Sequence, residues 1–428
     1  MKWLSFVLAV VVTLGAVLET RSHALEWPGW RGPRRDGVSR ETGLAPSWPE
    51  GGPPLAWKAD GMGKGFSSVA VASGRIYTLG DRDGAQHLLA FDAENGALIW
   101  KTRVGPTFAD GNGGPRGTPS VAGNQVFALA TSGDLVAADA MTGNELWRRN
   151  LATDFGGKMM SGWGWSESPL IDGDRIVVTP GSASAALVAL DRMTGKEIWR
   201  AAVPALGEAG TDGAAYSSIV VTEAAGVRQY VQLLGRGLIG VRASDGHFLW
   251  GYNRIANATA NIATPVVRAN WVFASTGYGA GSALVEITKG DDGTIGAREV
   301  YFVSADKFQN HHGGMVLLGN HVYGGDGQNR GLPTCLDLAT GKVVWGGNIR
   351  NAGTGSAAVV AADGQLYFRY QNGVVLLIEA SPEQYRETGT LTIPNVTQPS
   401  WSLPVVADGR LYLREQDTLY VYDVRKPS

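Results

Sequence analysis

Short apolar runs alternate with turns rich in Gly, Asp and Asn along almost the whole chain. Phe66-Ser-Ser-Val-Ala-Val runs into the turn Ser73-Gly74-Arg75 and then the strand Ile76-Tyr77-Thr-Leu. A third strand, Leu88 to Phe91, follows after another loop. Second strands of the same kind recur at Val126-Phe127, Val272-Phe273, Val322-Tyr323, Leu366-Tyr367 and Leu411-Tyr412. Apolar strands bounded by turn residues predict four-stranded antiparallel sheets. Helical periodicity is absent outside the extreme N-terminus.

One eleven-residue phrase, Ala-x-Asp-x-x-Thr-Gly-x-x-x-Trp, ends most of these units. It spans Ala90 to Trp100 (with Asn for Thr), Ala137 to Trp147 and Ala189 to Trp199, with weaker copies from Gly240 to Trp250 and Cys335 to Trp345. The Asp is suited to capping nearby amides, and Gly96, Gly143, Gly195, Gly246 and Gly341 to a left-handed turn. Trp57, Trp100, Trp147, Trp199, Trp250 and Trp345 close successive units, with Tyr301 in the remaining slot. Large aromatics at a fixed offset from a turn are expected to pack between units rather than to stack on a ligand. Steps of 43, 47, 52, 51, 51 and 44 residues separate them, a spacing that signals a propeller or solenoid.

Two further units follow Trp345, and the last supplies only three strands. Pro54-Leu-Ala-Trp57 is a fourth strand without the three that should precede it. Pairing the two would remove a bare edge. The expectation is an all-β, eight-bladed β-propeller of four-stranded antiparallel blades over residues 54–428, closed through the strand at Trp57.

Composition and the N-terminus then narrow the class. Charged residues are 18% of the chain and nearly balanced at net −2, so no nucleic-acid partner is expected. Met1-Lys2, the apolar Trp3 to Leu18 and the tail ending Ser22-His23-Ala24 read as a secretory signal over residues 1–24, with cleavage near Ala24. The apolar run is too short for a membrane span. The mature chain is expected to be periplasmic or secreted and monomeric. The lone Cys335 occupies a small-residue slot of the phrase and forms no internal disulfide. Residues 25–53 form an irregular strap, whose stretch Glu26 to Ser39 sets Trp27, Trp30 and three Arg among Gly and Pro.

Propeller ligands usually sit where the starts of the innermost strands meet. This sequence places Arg116, Trp165, Glu167, Tyr216, Asn261, His311 and His312 at those starts, and Arg236 and Asp326 on loops of the same face. They form the candidate ligand site. In a strand, neighbouring side chains face opposite ways, so at most one of His311 and His312 is expected to face the channel. Ligand spacing of the His-x-His or His-x-x-x-His kind is missing, so no metal site is expected. Trp163, Trp165 and Trp401 with Glu167 raise a carbohydrate-binding or hydrolytic alternative. No catalytic residue is assigned.

The repeating phrase resembles the tryptophan-docking motif of the pyrroloquinoline-quinone (PQQ) repeat propellers, over nearly all of Trp57 to Asp423. The opening Trp30-Arg-Gly-Pro and the run Asn310-His-His-Gly-Gly resemble exported, BamB-like propellers of planctomycete type. The resemblance implies either a quinoprotein dehydrogenase of alcohols or sugars, with PQQ and calcium, or a non-catalytic scaffold like BamB in outer-membrane protein assembly. The dehydrogenase branch pairs vicinal cysteines beside its cofactor, and one Cys does not supply them. The scaffold reading therefore leads, with a protein or another macromolecule as partner at the channel face.

Overall fold

The computed structural model describes residues 26–109 and 112–427; the signal-peptide reading lies outside them. Eight four-stranded antiparallel sheets form an eight-bladed β-propeller. Blades 1 to 7 span residues 70–106, 120–150, 170–201, 220–252, 266–303, 315–345 and 357–392. Blade 8 joins three strands within 405–423 to Leu55–Asp60, which pairs antiparallel with Thr418–Asp423. Among the described residues one short α-helix, Leu151–Phe155, and a single 3-10 turn, Gln328–Arg330, depart from the all-strand expectation. The α-helix is too short to show a helical period, and Asn150 caps it by accepting from the Ala152 and Thr153 amides. Among the described residues no helix is long and apolar enough to cross a membrane.

The phrase has a clear local geometry. Its first and eleventh residues face each other across two strands: Ala90 with Trp100, Ala137 with Trp147, Ala189 with Trp199 and Cys335 with Trp345. A small side chain opposite leaves room for the indole, so buried Cys335 fills a packing slot. Asp139 Oδ1 accepts from the Met141 and Thr142 amides at 3.0 and 2.8 Å, and Gly143 follows at φ +77°. The turn delivers that glycine to the preceding blade. A Cβ on Gly143 would stand 2.6 Å from Trp100, and one on Gly195 would stand 2.7 Å from Trp147. The indole N–H of Trp100 donates to Ala140 O at 3.2 Å, and that of Trp147 to Arg192 O at 2.9 Å. Trp199, Tyr301 and Trp345 repeat the bond on the Ala243, Leu338 and Ser381 carbonyls.

Trp250 departs from this pattern. Its N–H turns back to Gln229 Oε1 in its own blade, at 2.6 Å. The next blade has no Asp-x-x-Thr-Gly turn to receive it; a long hairpin, Gly281–Lys289 with Ile295–Val303, stands there instead. The Trp57 N–H is buried without a partner.

The core is divided among the gaps between blades. One apolar cluster joins blades 1 and 2, the next blades 2 and 3, and so on around the ring. The largest takes in blades 7, 8 and 1 together with Trp27, Leu44, Ala45 and Trp48. Polar clamps reinforce these last gaps. Buried Arg414 donates to Ser67 O, Thr78 Oγ1 and Gly63 O across blade 1. Fully buried Arg369 pairs with Glu415 at 2.9 Å between blades 7 and 8.

The strap crosses the ring. Trp27 pairs with Val71 of blade 1, and the Val121 amide of blade 2 donates to Pro28 O. Arg35 donates to Ser168 O and Pro169 O beside blade 3, and Trp30 to Thr264 Oγ1 beside blade 5. Arg31 reaches Met315 O of blade 6, Val38 pairs with Ala361 of blade 7, and Ala45 bonds Val424 beyond blade 8.

Gly143→Ala is expected to cost about 3 kcal/mol, because a positive φ and a clash with Trp100 add together. Gly74→Ala, at a similar φ of +71° but with open space around it, should cost only about 1 kcal/mol. Denaturant unfolding of both variants checks the difference.

Candidate functional site

Where the innermost strands begin, all eight blades contribute to the wall of one cavity of about 370 Å³. Phe66, Arg116, Ser166 and Tyr216 come from blades 1 to 4, Thr264 and His311 from 5 and 6, and Ala358 and Trp401 from 7 and 8. Trp30 of the strap is also in the lining. The wall is therefore a cup to which both the repeat and the strap contribute.

Of the predicted residues, Arg116, Tyr216, His311 and His312 line this cup, as do Trp163 and Trp401. The two histidines depart from the sequence expectation. They lie in a bend before the innermost strand of blade 6, not in a strand, so alternation does not apply. Both face the cavity, with ring centroids 4.3 Å apart. His311 is held by Ser356 Oγ at 2.8 Å and Tyr278 OH at 2.9 Å, and burial pushes its pKa down to about 4. Half-buried His312 packs edge-on to Trp401 at 4.9 Å. Burial and the neighbouring His311 hold it well below the usual histidine range. Both rings are neutral at pH 7.

Trp165, Glu167, Asn261, Asp326 and Arg236 do not line the cup. Trp165 turns into the core between blades 2 and 3 and donates to Thr179 O. Glu167 is 2% exposed and accepts from the Thr179 amide at 2.5 Å, the Thr179 hydroxyl at 2.6 Å and Gln232 at 3.3 Å. Asn261 is spent on Leu234 O, Gly235 O and the Asn257 amide. Asp326 accepts from the Gln309 amide at 2.9 Å, and burial raises its pKa. Arg236 pairs with Asp212 at 2.8 Å and donates to the backbone at 207 and 208. Glu167, Asn261 and Asp326 are thus consumed by buried hydrogen bonds, Trp165 by the core and Arg236 by a surface ion pair.

Arg116 donates to Trp163 O at 2.8 Å and Asn112 O at 3.3 Å, and sits over the rings of Phe66 and Phe108. Sequence reasoning passed over Tyr278, on the loop between the second and third strands of blade 5, and Gln371, on the matching loop of blade 7. The position of those loops on the channel face was the available signal. Among the described residues no carboxylate lines the cup. Nor do any three His, Cys, Asp or Glu side chains cluster to hold a metal ion.

This architecture can be set beside known proteins. The family model described as "Outer membrane protein assembly factor BamB" matches residues 52–172 and 84–347. The chain belongs to the BamB family. The BamB of Shewanella oneidensis is 31% identical over 179 residues, covering 39% of this chain and 42% of that protein. The Salmonella typhimurium BamB is 32% identical over 119 residues, 26% of each chain. The chain thus spans less than half the length of these curated relatives. Among solved structures, Moraxella catarrhalis BamB superposes with a TM-score of 0.60 at 15% identity, over 86% of this chain and 99% of that one. A quinohemoprotein alcohol dehydrogenase from Comamonas testosteroni superposes with a TM-score of 0.64 at 12% identity, over 97% and 83%. At such identities the likeness is one of fold, shared by scaffold and enzyme alike.

Burial pushes the Glu167 carboxyl of this BamB-family propeller up to about 7, against the opposing pull of the Thr179 bonds and the Arg35 charge. A raised acid stabilises the fold fully below its ordinary value of 4.5, and that contribution is lost as pH rises through 7. The unfolding free energy of the protein minus that of Glu167→Gln should fall by about 3 kcal/mol between pH 4.5 and 8. Parallel denaturant titrations measure it, and taking the difference removes the histidines, whose lowered values act in the opposite sense.

Proposed function

We propose that this chain is an exported, non-catalytic propeller that binds a polypeptide and serves in assembly, as the names of its BamB relatives describe for them. The observation that supports this reading is the makeup of the cup. Its described lining is largely aromatic, with Arg116 as its charged side chain and no carboxylate, and the nearby carboxyls are withdrawn into buried hydrogen bonds. Such a wall suits binding, whereas acid–base work wants a group poised near the operating pH in contact with the substrate. His311 and His312 are held too low to serve as bases of that kind.

The donor set does not fit a calcium-held quinone. Calcium takes six to eight oxygen ligands, carboxylates prominent among them, and the described lining offers none of the latter. The outer strands suit a polypeptide partner better. Each fourth strand pairs on one side only, and Leu98, Ile99, Leu146, Ile198, Val343 and Val344 stand exposed along several of them. A bare strand edge with apolar side chains accepts an added strand.

Incubated with PQQ and calcium, the purified protein is expected to show neither saturable binding nor dye-linked oxidation of alcohols or sugars. A photocrosslinking residue at position 98 or 146 is expected to trap a polypeptide in the native cell envelope. Quinone-dependent turnover that disappears in Trp401→Ala would overturn the scaffold reading.

A further inference from the structure

The cup has a chemistry of its own, independent of any polypeptide on the outer strands. Trp163 and Trp401 are half-buried, each supported from behind. Trp163 meets Tyr216 edge-on at 5.7 Å, and Trp401 leans on Phe66 at 4.9 Å. Each indole is thereby fixed as a platform while part of its surface stays open to the cavity.

Polar groups stand beside these platforms with capacity unused. Among the described residues neither ring nitrogen of His312 has a hydrogen-bond partner, although the ring is fixed by His311 and Trp401. Gln371 Oε1 accepts the Trp401 N–H at 3.0 Å, which turns the amide NH₂ away and leaves it without a partner among the described residues. A neutral imidazole offers one donor and one acceptor, and a carboxamide NH₂ two donors. The formal charge among the described lining is Arg116, already bonded to the Trp163 and Asn112 carbonyls.

An occupant that fits these groups presents an apolar face to an indole and hydroxyls to His312 and Gln371, and needs no charge of its own. A fatty chain would leave those polar groups desolvated and unpaired. A phosphorylated ligand calls for charge-assisted donors in number. A pyranose ring meets every requirement, with its C–H face on the indole and its edge hydroxyls on the imidazole and amide. A cavity of about 370 Å³ lies at the lower end of small-ligand clefts, suited to one or two such rings. Glycoside cleavage would need two carboxyls flanking the bond. Glu167, the nearest candidate from the sequence, is sealed behind Thr179 and Gln232.

We infer that the cup is a binding subsite for a neutral pyranose, free or at the end of a glycan, held by stacking on Trp163 and Trp401 and hydrogen-bonded by His312 and Gln371. The sugar is retained and not hydrolysed. This inference does not rest on the polypeptide reading, and the two can fail separately.

The test is titration calorimetry with intrinsic tryptophan fluorescence as a second readout. The probes are glucose, galactose, N-acetylglucosamine, maltose and cellobiose, against glucuronic acid and glucosamine as charged counterparts. At least one neutral sugar is expected to bind saturably, to quench the fluorescence, and to bind equally at pH 6 and pH 8. Trp163→Ala and His312→Gln are each expected to weaken it at least tenfold, with melting temperatures near that of the parent. Gln371→Ala supplies a third variant should either lose its fold. No saturable binding by any neutral sugar, stronger binding of the charged pair, or binding indifferent to all three substitutions would overturn the inference. Reducing-sugar release from maltose or cellobiose would overturn the claim of retention.

Discussion

An aromatic ring laid over a glycine of the next blade is the contact on which the rest of this structure depends. Blades are stable only in company, because each buries its faces against two neighbours. The indole brings area and a directed N–H; the glycine brings a left-handed turn and the absence of a β-carbon that would stand within 3 Å of the ring. Repeated around the ring, the pair sets the spacing at which innermost strands begin. That spacing fixes how far apart the cup's side chains stand. Stability and recognition are thus set by the same geometry, at opposite ends of each blade.

The strap adds what repetition alone does not provide. Eight similar blades would leave a channel between their innermost strands. The strap places Trp27 and Arg31 among the most deeply buried large side chains of the protein, and it brings Trp30 into the lining of the cavity. The buried guanidinium groups it carries would be costly if unpaired, and they are answered mainly by backbone carbonyls: Arg31 by Asp36 and Met315, Arg35 by Ser168 and Pro169. A segment without regular structure is thereby made as specific as any blade.

The wheel and its eight units were legible in the sequence because they are periodic. A Trp, or Tyr301 at one station, every 43 to 52 residues, a turn phrase before most of them and a matching second strand leave few alternatives. The candidate site was legible only in part, since periodicity gives the station of a residue and not its direction. Arg116, Tyr216 and Trp401 stand at strand starts and line the cavity, whereas Trp165 and Glu167 stand at equivalent starts and point into the gap between blades. His311 and His312 defied the alternation rule because the chain bends there. Tyr278 comes from a loop that every blade has but whose residues follow no repeat, and Trp30 from a strap outside the repeats. The reversal of Trp250 could be anticipated only from what its neighbour lacks.

The hydrogen bond between Thr418 and Asp60 joins residues 358 positions apart. Blade 8 has its outermost strand near the beginning of the polypeptide and its other three at the end. During synthesis the segment Leu55–Asp60 must wait, edge exposed, until the strand Thr418–Asp423 has been made. Contacts of such long range are slow to form, and unpaired strands are sticky in the interval. The strap waits with it, since its bonds to Ala361 and Val424 also lie at the far end. The last step of folding is therefore a single latching event that joins strands at least 358 residues apart and seats the strap with them, and a chain halted before residue 418 has no way to perform it.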